Sequence, residues 1–214
     1  AAGPLNMLAD PDRFARAVGA LGIDSSSFVV TYDDHHVPVA SRVWWALRAY
    51  GHRRSAVLDG GFPSWQAEGR PVTRGPGTRA PSSHFVASFD PSVYAAKEAV
   101  RRALEDDTAQ LVDARMDSAY ETSSGHIPGS VRVTGLGFLS PDGHWRSAEE
   151  CRHRIVAAGL DPDRPTILYC GGGVAATGAY LGWQLAGASG SLRVYDGSWG
   201  EWEQDPTTPK EHHS

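Results

Sequence analysis

The sequence predicts an α/β protein of two similar units, each a mostly parallel sheet flanked by helices, with the first unit incomplete at its N-terminal end. Three observations predict it. One constant offset, the one that carries Tyr32 onto Tyr169, superimposes the two halves without a gap. Within each half, short apolar strands alternate with helical stretches, the pattern of helices packed on a parallel sheet. Between the halves, Arg70 to Pro91 is rich in Pro, Gly, Ser and Thr, as a linker is.

The elements follow in order. Phe28-Val29-Val30-Thr31-Tyr32 and Thr166-Ile167-Leu168-Tyr169 read as short buried strands. A helical stretch follows each, and then a second apolar strand that ends in Asp-Gly: Val57-Leu58-Asp59-Gly60-Gly61 and Val194-Tyr195-Asp196-Gly197-Ser198. Tyr32 is as far from Asp59 as Tyr169 is from Asp196, and the same register places Gly22-Ile23-Asp24 on Gly159-Leu160-Asp161 and Trp65 on Trp202. The second half adds a helix at about 91–106, a strand Gln110–Asp113, a loop through Gly125–Gly129 and a helix from Ser147 to Ala158. After the strand to Tyr169 come a helix from about Val174 to Ala186 and a last strand, Leu192–Tyr195. The chain divides into a partial unit over 1–75, a linker over 76–90, a complete unit over 91–208 and a tail over 209–214.

The repeat is lopsided. Leu111-Val112-Asp113 and Gly125-His126-Ile127-Pro128-Gly129 map to positions before residue 1, so the first unit lacks its opening strands. Two strands and three helices do not make an independent sheet. The first unit is therefore expected to lean on the second or on a missing segment, and the native protein to extend further at its N-terminus, in keeping with a chain that starts Ala1-Ala2-Gly3-Pro4 rather than with Met.

Composition excludes several classes of function. Of 214 residues, 41% are hydrophobic and 21% charged, an ordinary globular balance. A net charge of −5 with scattered arginines argues against a nucleic-acid or anionic-membrane partner. No apolar run approaches bilayer-spanning length. Two cysteines, Cys151 and Cys170, are too few for a disulfide scaffold and fit a reducing compartment, here taken as the cytoplasm.

Chemistry concentrates at Tyr169-Cys170-Gly171-Gly172-Gly173-Val174-Ala175-Ala176-Thr177, which ends a strand and opens a helix. The glycines allow a tight turn with its amides pointing inward, and a helix start adds about half a positive charge there. A thiol in that cradle is expected to be a partly ionised nucleophile, and an anion on its sulfur would be stabilised. A glycine-rich turn with an incidental cysteine is the alternative that the loop alone leaves open.

The surrounding residues resemble the rhodanese family over nearly the whole chain. The marks are Val112-Asp113-Ala114-Arg115, Gly125-His126-Ile127-Pro128-Gly129-Ser130, Tyr169-Cys170 with its glycine loop, and Tyr195-Asp196-Gly197-Ser198-Trp199 with Glu201-Trp202. Asp59-Gly60-Gly61-Phe62 and Trp65 are similar to the inactive domain of tandem members, with Asp33 standing where the second unit has Cys170. The resemblance implies two rhodanese-like domains and a thiosulfate or 3-mercaptopyruvate sulfurtransferase. Cys170 would accept sulfane sulfur from a small anionic donor as a persulfide and pass it to cyanide or a thiol, with no cofactor and no metal. Amides from Gly171, Gly172, Gly173, Val174, Ala175 and Ala176 would hold the persulfide anion. Asp113, Arg115 and His126 would support the loop, either by orienting it or, the reading favoured, as an ion pair stitching the strand to its neighbours.

The chain departs from the family pattern in places. A substrate-binding Arg is usual where Ala119 stands, and mercaptopyruvate enzymes have Ser at the position of Gly172. Thiosulfate enzymes often carry basic residues where Gly171 and Gly172 stand. These gaps keep open a catalytically weak sulfur carrier or binding module of the same fold. A phosphatase of related fold is disfavoured, since its loop closes on an Arg and none occurs from Gly171 to Gly190. Cys151, on a helix with Ile155 four residues on, is expected to be a buried core thiol. His35-His36 reads as exposed loop, Glu211-His212-His213 as disordered tail, and Trp44, Trp45 and Trp183 as core or interface packing.

Overall fold

A computed structural model describes residues 7–34, 39–75, 77 and 80–212. The second unit holds five parallel strands, β3 (Tyr94–Ala95), β4 (Gln110–Asp113), β5 (Val131–Arg132), β6 (Thr166–Tyr169) and β7 (Leu192–Tyr195), in the order β3-β7-β6-β4-β5. The first unit contributes a parallel pair, β1 (Val29–Thr31) and β2 (Ser55–Val57). The helices are α1 (Pro11–Gly19), α2 (Ala40–Ala49), α3 (Gly61–Ala67), α4 (Lys97–Asp106), α5 (Asp117–Glu121), α6 (Ala148–Ala157), α7 (Ala175–Leu185) and α8 (Ser198–Trp202).

Strand β6 is buried along its whole length because the sheet is covered on both faces, as parallel sheets are. Its alternating side chains divide between two cores. Leu168, with Val112 and Val194, packs under Trp44, Trp45, Cys151, Ile155 and Trp183. Ile167 and Tyr169, with Leu111 and Tyr195, pack against Val100, Ile127, Trp199 and Trp202 on the other side. Three buried residues of the first core, Trp44, Trp45 and Ala49, come from the first unit, so the units share one interior.

The repeat is written into the hydrogen bonds as well as the sequence. Asp10 and Ser147, equivalent positions in the two units, cap α1 and α6 with their side chains. Gly22 and Gly159 turn with φ of 81° and 80°. Phe62 N–H donates to the Asp33 carbonyl at 2.8 Å, and Trp199 N–H donates to the Cys170 carbonyl at 2.9 Å. The two units also exchange equivalent contacts. Leu8 N–H donates to Asp196 Oδ2 at 2.6 Å, and its counterpart Trp145 N–H donates to Asp59 Oδ1 at 2.7 Å. Such reciprocal pairing is the mark of a self-complementary interface.

The units differ where β4 has no counterpart. Tyr169 and Ile167 are 1% and 0% exposed, whereas their equivalents Tyr32 and Val30 are 59% and 47% exposed. Several expectations change in the structure. The helix expected over 91–106 is split: Pro91–Val93 forms a single 3₁₀ turn under an Asp90 cap, Tyr94–Ala95 pairs with β7, and only Lys97–Asp106 is α-helical. The expected linker over 76–90 is, in its later part, a strap on the first unit. Phe85 is buried against Val18, Leu47 and Tyr50, and Ser83 and Ser88 donate to the Gly19 and Tyr50 carbonyls. The expected disordered tail is pinned as far as His212. Trp202 Nε1 donates to the Pro209 carbonyl, and Glu211 and His126 exchange backbone hydrogen bonds at 2.8 and 3.0 Å. His35, His36 and His213 lie outside the described residues.

Candidate active site

Cys170 leaves the C-terminal end of the central strand β6, where open parallel sheets place their ligand crevices. The loop from Gly171 to Val174 then enters α7. Three outward-facing carbonyls fix the loop. The Cys170 carbonyl accepts from Trp199 N–H at 2.9 Å and the Gly171 carbonyl from Gly200 N–H at 3.0 Å. The Gly173 carbonyl accepts from Arg42 Nη1 at 3.3 Å. On the other side of the nucleophile, Cys170 N–H donates to Ser198 Oγ at 3.1 Å, and that hydroxyl donates to the Tyr195 carbonyl at 2.9 Å.

Gly173 has to be glycine. Its φ is +78°, and a Cβ there would lie 2.8 Å from both the carbonyl oxygen and Oδ1 of Asp196. At Gly171, by contrast, a Cβ would meet nothing within 4 Å. Among the remaining loop residues Ala176 is buried, while Gly172, Val174 and Ala175 are half-buried.

Asp113 and Arg115 stand beside this loop at the end of β4 and are both buried. Arg115 Nε donates to both carboxylate oxygens, at 3.0 and 2.9 Å, and Nη2 donates to the Gly125 carbonyl at 3.0 Å. Burial alone would lower the Arg115 pKa, but the hydrogen bonds and charge of Asp113 outweigh it and hold the guanidinium above its ordinary value. The guanidinium is sandwiched between the Tyr120 and Trp199 rings, 5.0 and 5.2 Å from their centroids. His126 Nδ1 lies 3.3 Å from Tyr120 Oη, and its Nε2 is 3.4 Å from Glu211. The structure thus brings Asp113, Arg115 and His126 together as a brace tying β4, the Gly125 loop and the C-terminal segment. Ala119 is exposed on α5. Cys151 is remote in role: it is fully buried on α6, and burial pushes its thiol pKa up.

Two residues carry more of this site than the sequence suggests. Ser198 lies in the quoted Tyr195–Trp199 run, but nothing in the run says that its hydroxyl anchors the Cys170 amide. Arg42 comes from the first unit. The register of the repeat pairs it with Ala179, so the repeat hides it.

A cysteine at the end of a central parallel strand, before a glycine turn and a helix start, marks the strand-end crevice of this α/β protein. Residues 3–68 and 96–205 match the family described as Rhodanese-like domain, and the chain belongs to the rhodanese-like sulfurtransferases. It is 36% identical over 208 residues to human (Homo sapiens) 3-mercaptopyruvate sulfurtransferase, covering 92% of this chain and 69% of that protein. Bovine (Bos taurus) thiosulfate sulfurtransferase is 39% identical over the same shares. The solved 3-mercaptopyruvate sulfotransferase SseA from Escherichia coli superimposes with a TM-score of 0.82 at 30% identity, over 93% of this chain and 76% of SseA. The structure of YnjE aligns with all of this chain at a TM-score of 0.88 and 26% identity, and the chain spans 55% of YnjE. No helix among the described residues is long and apolar enough to cross a membrane.

Proposed function

We propose that Cys170 is the sulfur-accepting nucleophile and that the protein moves sulfane sulfur from a small anionic donor to a thiophilic acceptor. The observation that carries this reading is the seat of Cys170 between β6 and the glycine loop, with the carbonyls of residues 170, 171 and 173 all bonded away from the turn. A planar peptide points its N–H opposite its C=O, so these carbonyls turn amides toward the inside of the loop. Those amides, with the start of the 11-residue α7, favour negative charge on sulfur.

With thiosulfate, the Cys170 thiolate attacks the outer sulfur. A sulfur–sulfur bond forms to the enzyme, the donor's sulfur–sulfur bond breaks, and sulfite leaves with the electron pair. With 3-mercaptopyruvate the carbon–sulfur bond breaks instead, and the pyruvate enolate that leaves takes up a proton. Cyanide or a second thiol then attacks the outer persulfide sulfur and restores the thiolate. Asp113, Arg115 and His126 act as the brace behind the loop rather than as proton carriers. Both cysteines are free, which suits a reducing compartment such as the cytoplasm.

Intact-mass measurement after incubation with each donor tests the assignment. The unmodified protein should gain one sulfur, lost again on adding cyanide, and Cys170→Ser should gain none. Sulfur uptake or turnover by Cys170→Ser would sink it.

A further inference from the structure

The reactive loop of the second unit is held by a side chain of the first. Arg42 stands on α2, which packs across α7: Ser41 Oγ lies 3.0 Å from Thr177 Oγ1 in the buried contact, and the Trp44 and Tyr180 rings meet edge to face at 6.0 Å. From there Arg42 Nη1 reaches Asp196 Oδ1 at 2.6 Å and the Gly173 carbonyl at 3.3 Å. The guanidinium rests on the Trp45 ring, 5.0 Å from its centroid. Asp196 is fully buried, and its other oxygen is taken by Leu8 N–H at 2.6 Å. One guanidinium therefore binds the aspartate that walls the loop and the loop's own backbone.

The internal symmetry separates this contact from ordinary interface packing. The backbone-to-carboxylate pairs Leu8–Asp196 and Trp145–Asp59 occur on both sides of the interface. On the side of Asp59 the neighbour is His144, with Nδ1 at 3.1 Å from the carboxylate and Nε2 3.1 Å from Ser64 Oγ. The residue equivalent to Arg42 is Ala179, a core methyl. The arginine of the first unit thus grips a carbonyl of the loop that follows Cys170, and the reverse contact has no arginine in its place.

We infer that Arg42 is a positioning residue for sulfur transfer: by fixing the Gly173 carbonyl it aims the Val174 N–H at the Cys170 sulfur. The inference rests on the reading of Cys170 as the nucleophile, and it makes the first unit part of the active site. Planarity of the Gly173–Val174 peptide supplies the coupling, since a carbonyl held by Arg42 leaves its N–H no other direction. Lysine is a poor replacement, because its ammonium ends a flexible stem and lacks the planar guanidinium that rests on Trp45 and holds Nη1 between the two acceptors.

The test uses the full chain in a Cys151→Ala background, so that one thiol reacts. The rate of Cys170 alkylation by iodoacetamide is followed against pH by intact mass, alongside the thermal midpoint. Arg42→Lys should fold, yet alkylation at neutral pH should slow about tenfold, with the pH of half-maximal rate moving up by about one unit. If Arg42→Lys does not fold, the double variant Arg42→Gln/Asp196→Asn leaves no unpaired buried charge and should show the same upward shift. A lowered midpoint with an unmoved alkylation profile in the folded arginine variant would make Arg42 an interface strut and overturn the inference. Alkylation needs no sulfur donor. Failure of the sulfurtransferase reading would instead show as no mass gain on the unmodified protein with either donor.

Discussion

Ser198 offers a sharp test of how the nucleophile is seated. It is buried, its backbone is left-handed with φ of +53°, and its hydroxyl bridges Cys170 N–H and the Tyr195 carbonyl. The equivalent residue in the first unit is Gly61, at φ of +59°. Ser198→Ala keeps the backbone cost and orphans a buried amide, a loss of about 1–3 kcal/mol. Ser198→Gly orphans the same amide but relieves a left-handed cost of about 1–2 kcal/mol. The greater freedom of glycine in the unfolded chain offsets roughly 0.5–1 kcal/mol of that relief. The glycine variant should therefore lie up to about 1.5 kcal/mol above the alanine variant. At about 2–4 °C per kcal/mol for a protein of this size, Ser198→Ala should lose roughly 2–12 °C in thermal midpoint, and Ser198→Gly should fall between it and the parent. A glycine variant less stable than the alanine variant would refute the reasoning, and an alanine variant as stable as the parent would show that the hydroxyl bonds contribute nothing.

Four further outcomes follow from the structure. Cys151→Ala should keep full sulfur transfer at a cost on the order of 1 kcal/mol, and in the folded protein iodoacetamide should label Cys170 well before Cys151, whose thiol pKa burial raises. Arg115→Met leaves Asp113 buried without its partner and should cost about 3–5 kcal/mol in urea unfolding, whereas an unchanged midpoint would mean that the brace is idle. Asp59 raises the pKa of His144 above 6.5. The stability from that pair should therefore be full below the unfolded value and fade as pH rises through the folded one, a slope that should flatten in His144→Gln thermal scans. Gly171→Arg places a cation where a side chain has open space, so it should lower the donor KM by roughly ten- to a hundredfold through one charge-assisted hydrogen bond. A KM unchanged by that substitution, or by Ala119→Arg, would mean that the donor's anion is already met elsewhere.

Much of the fold was legible because it is stated twice. One register aligns strands, turns and caps together, and β4, β6 and β7 fall where hydrophobic runs end in Asp, Cys and Asp-Gly. The seat of Cys170 was legible for the same reason, since glycines after a strand announce a turn into a helix. What escaped depends on tertiary contacts. Tyr94-Ala95 continues a helical pattern but pairs with β7, because an open sheet edge offered hydrogen bonds there. Phe85 sits in a linker-like composition yet fills a gap against Leu47 and Tyr50. Glu211 is held by the backbone of His126, a partner far away along the chain. Arg42 carried no local signal, since its role is set by the packing of α2 on α7.

Asp33 turns out to do more than stand in for a cysteine. Its Oδ1 accepts the Ala40 N–H at 2.7 Å, at the start of α2. In the second unit the equivalent helix opens on the loop beside Cys170. The first unit therefore caps its helix with a side chain of its own, while the equivalent amide of the second unit, Thr177 N–H, donates to the Val174 carbonyl at 3.0 Å. A cap that is part of the chain cannot be displaced, so α2 is tied at its start to the strand-end segment that precedes it. Arg42 projects from that capped helix, so the residue that meets the loop beside Cys170 is mounted on an element fastened within the first unit.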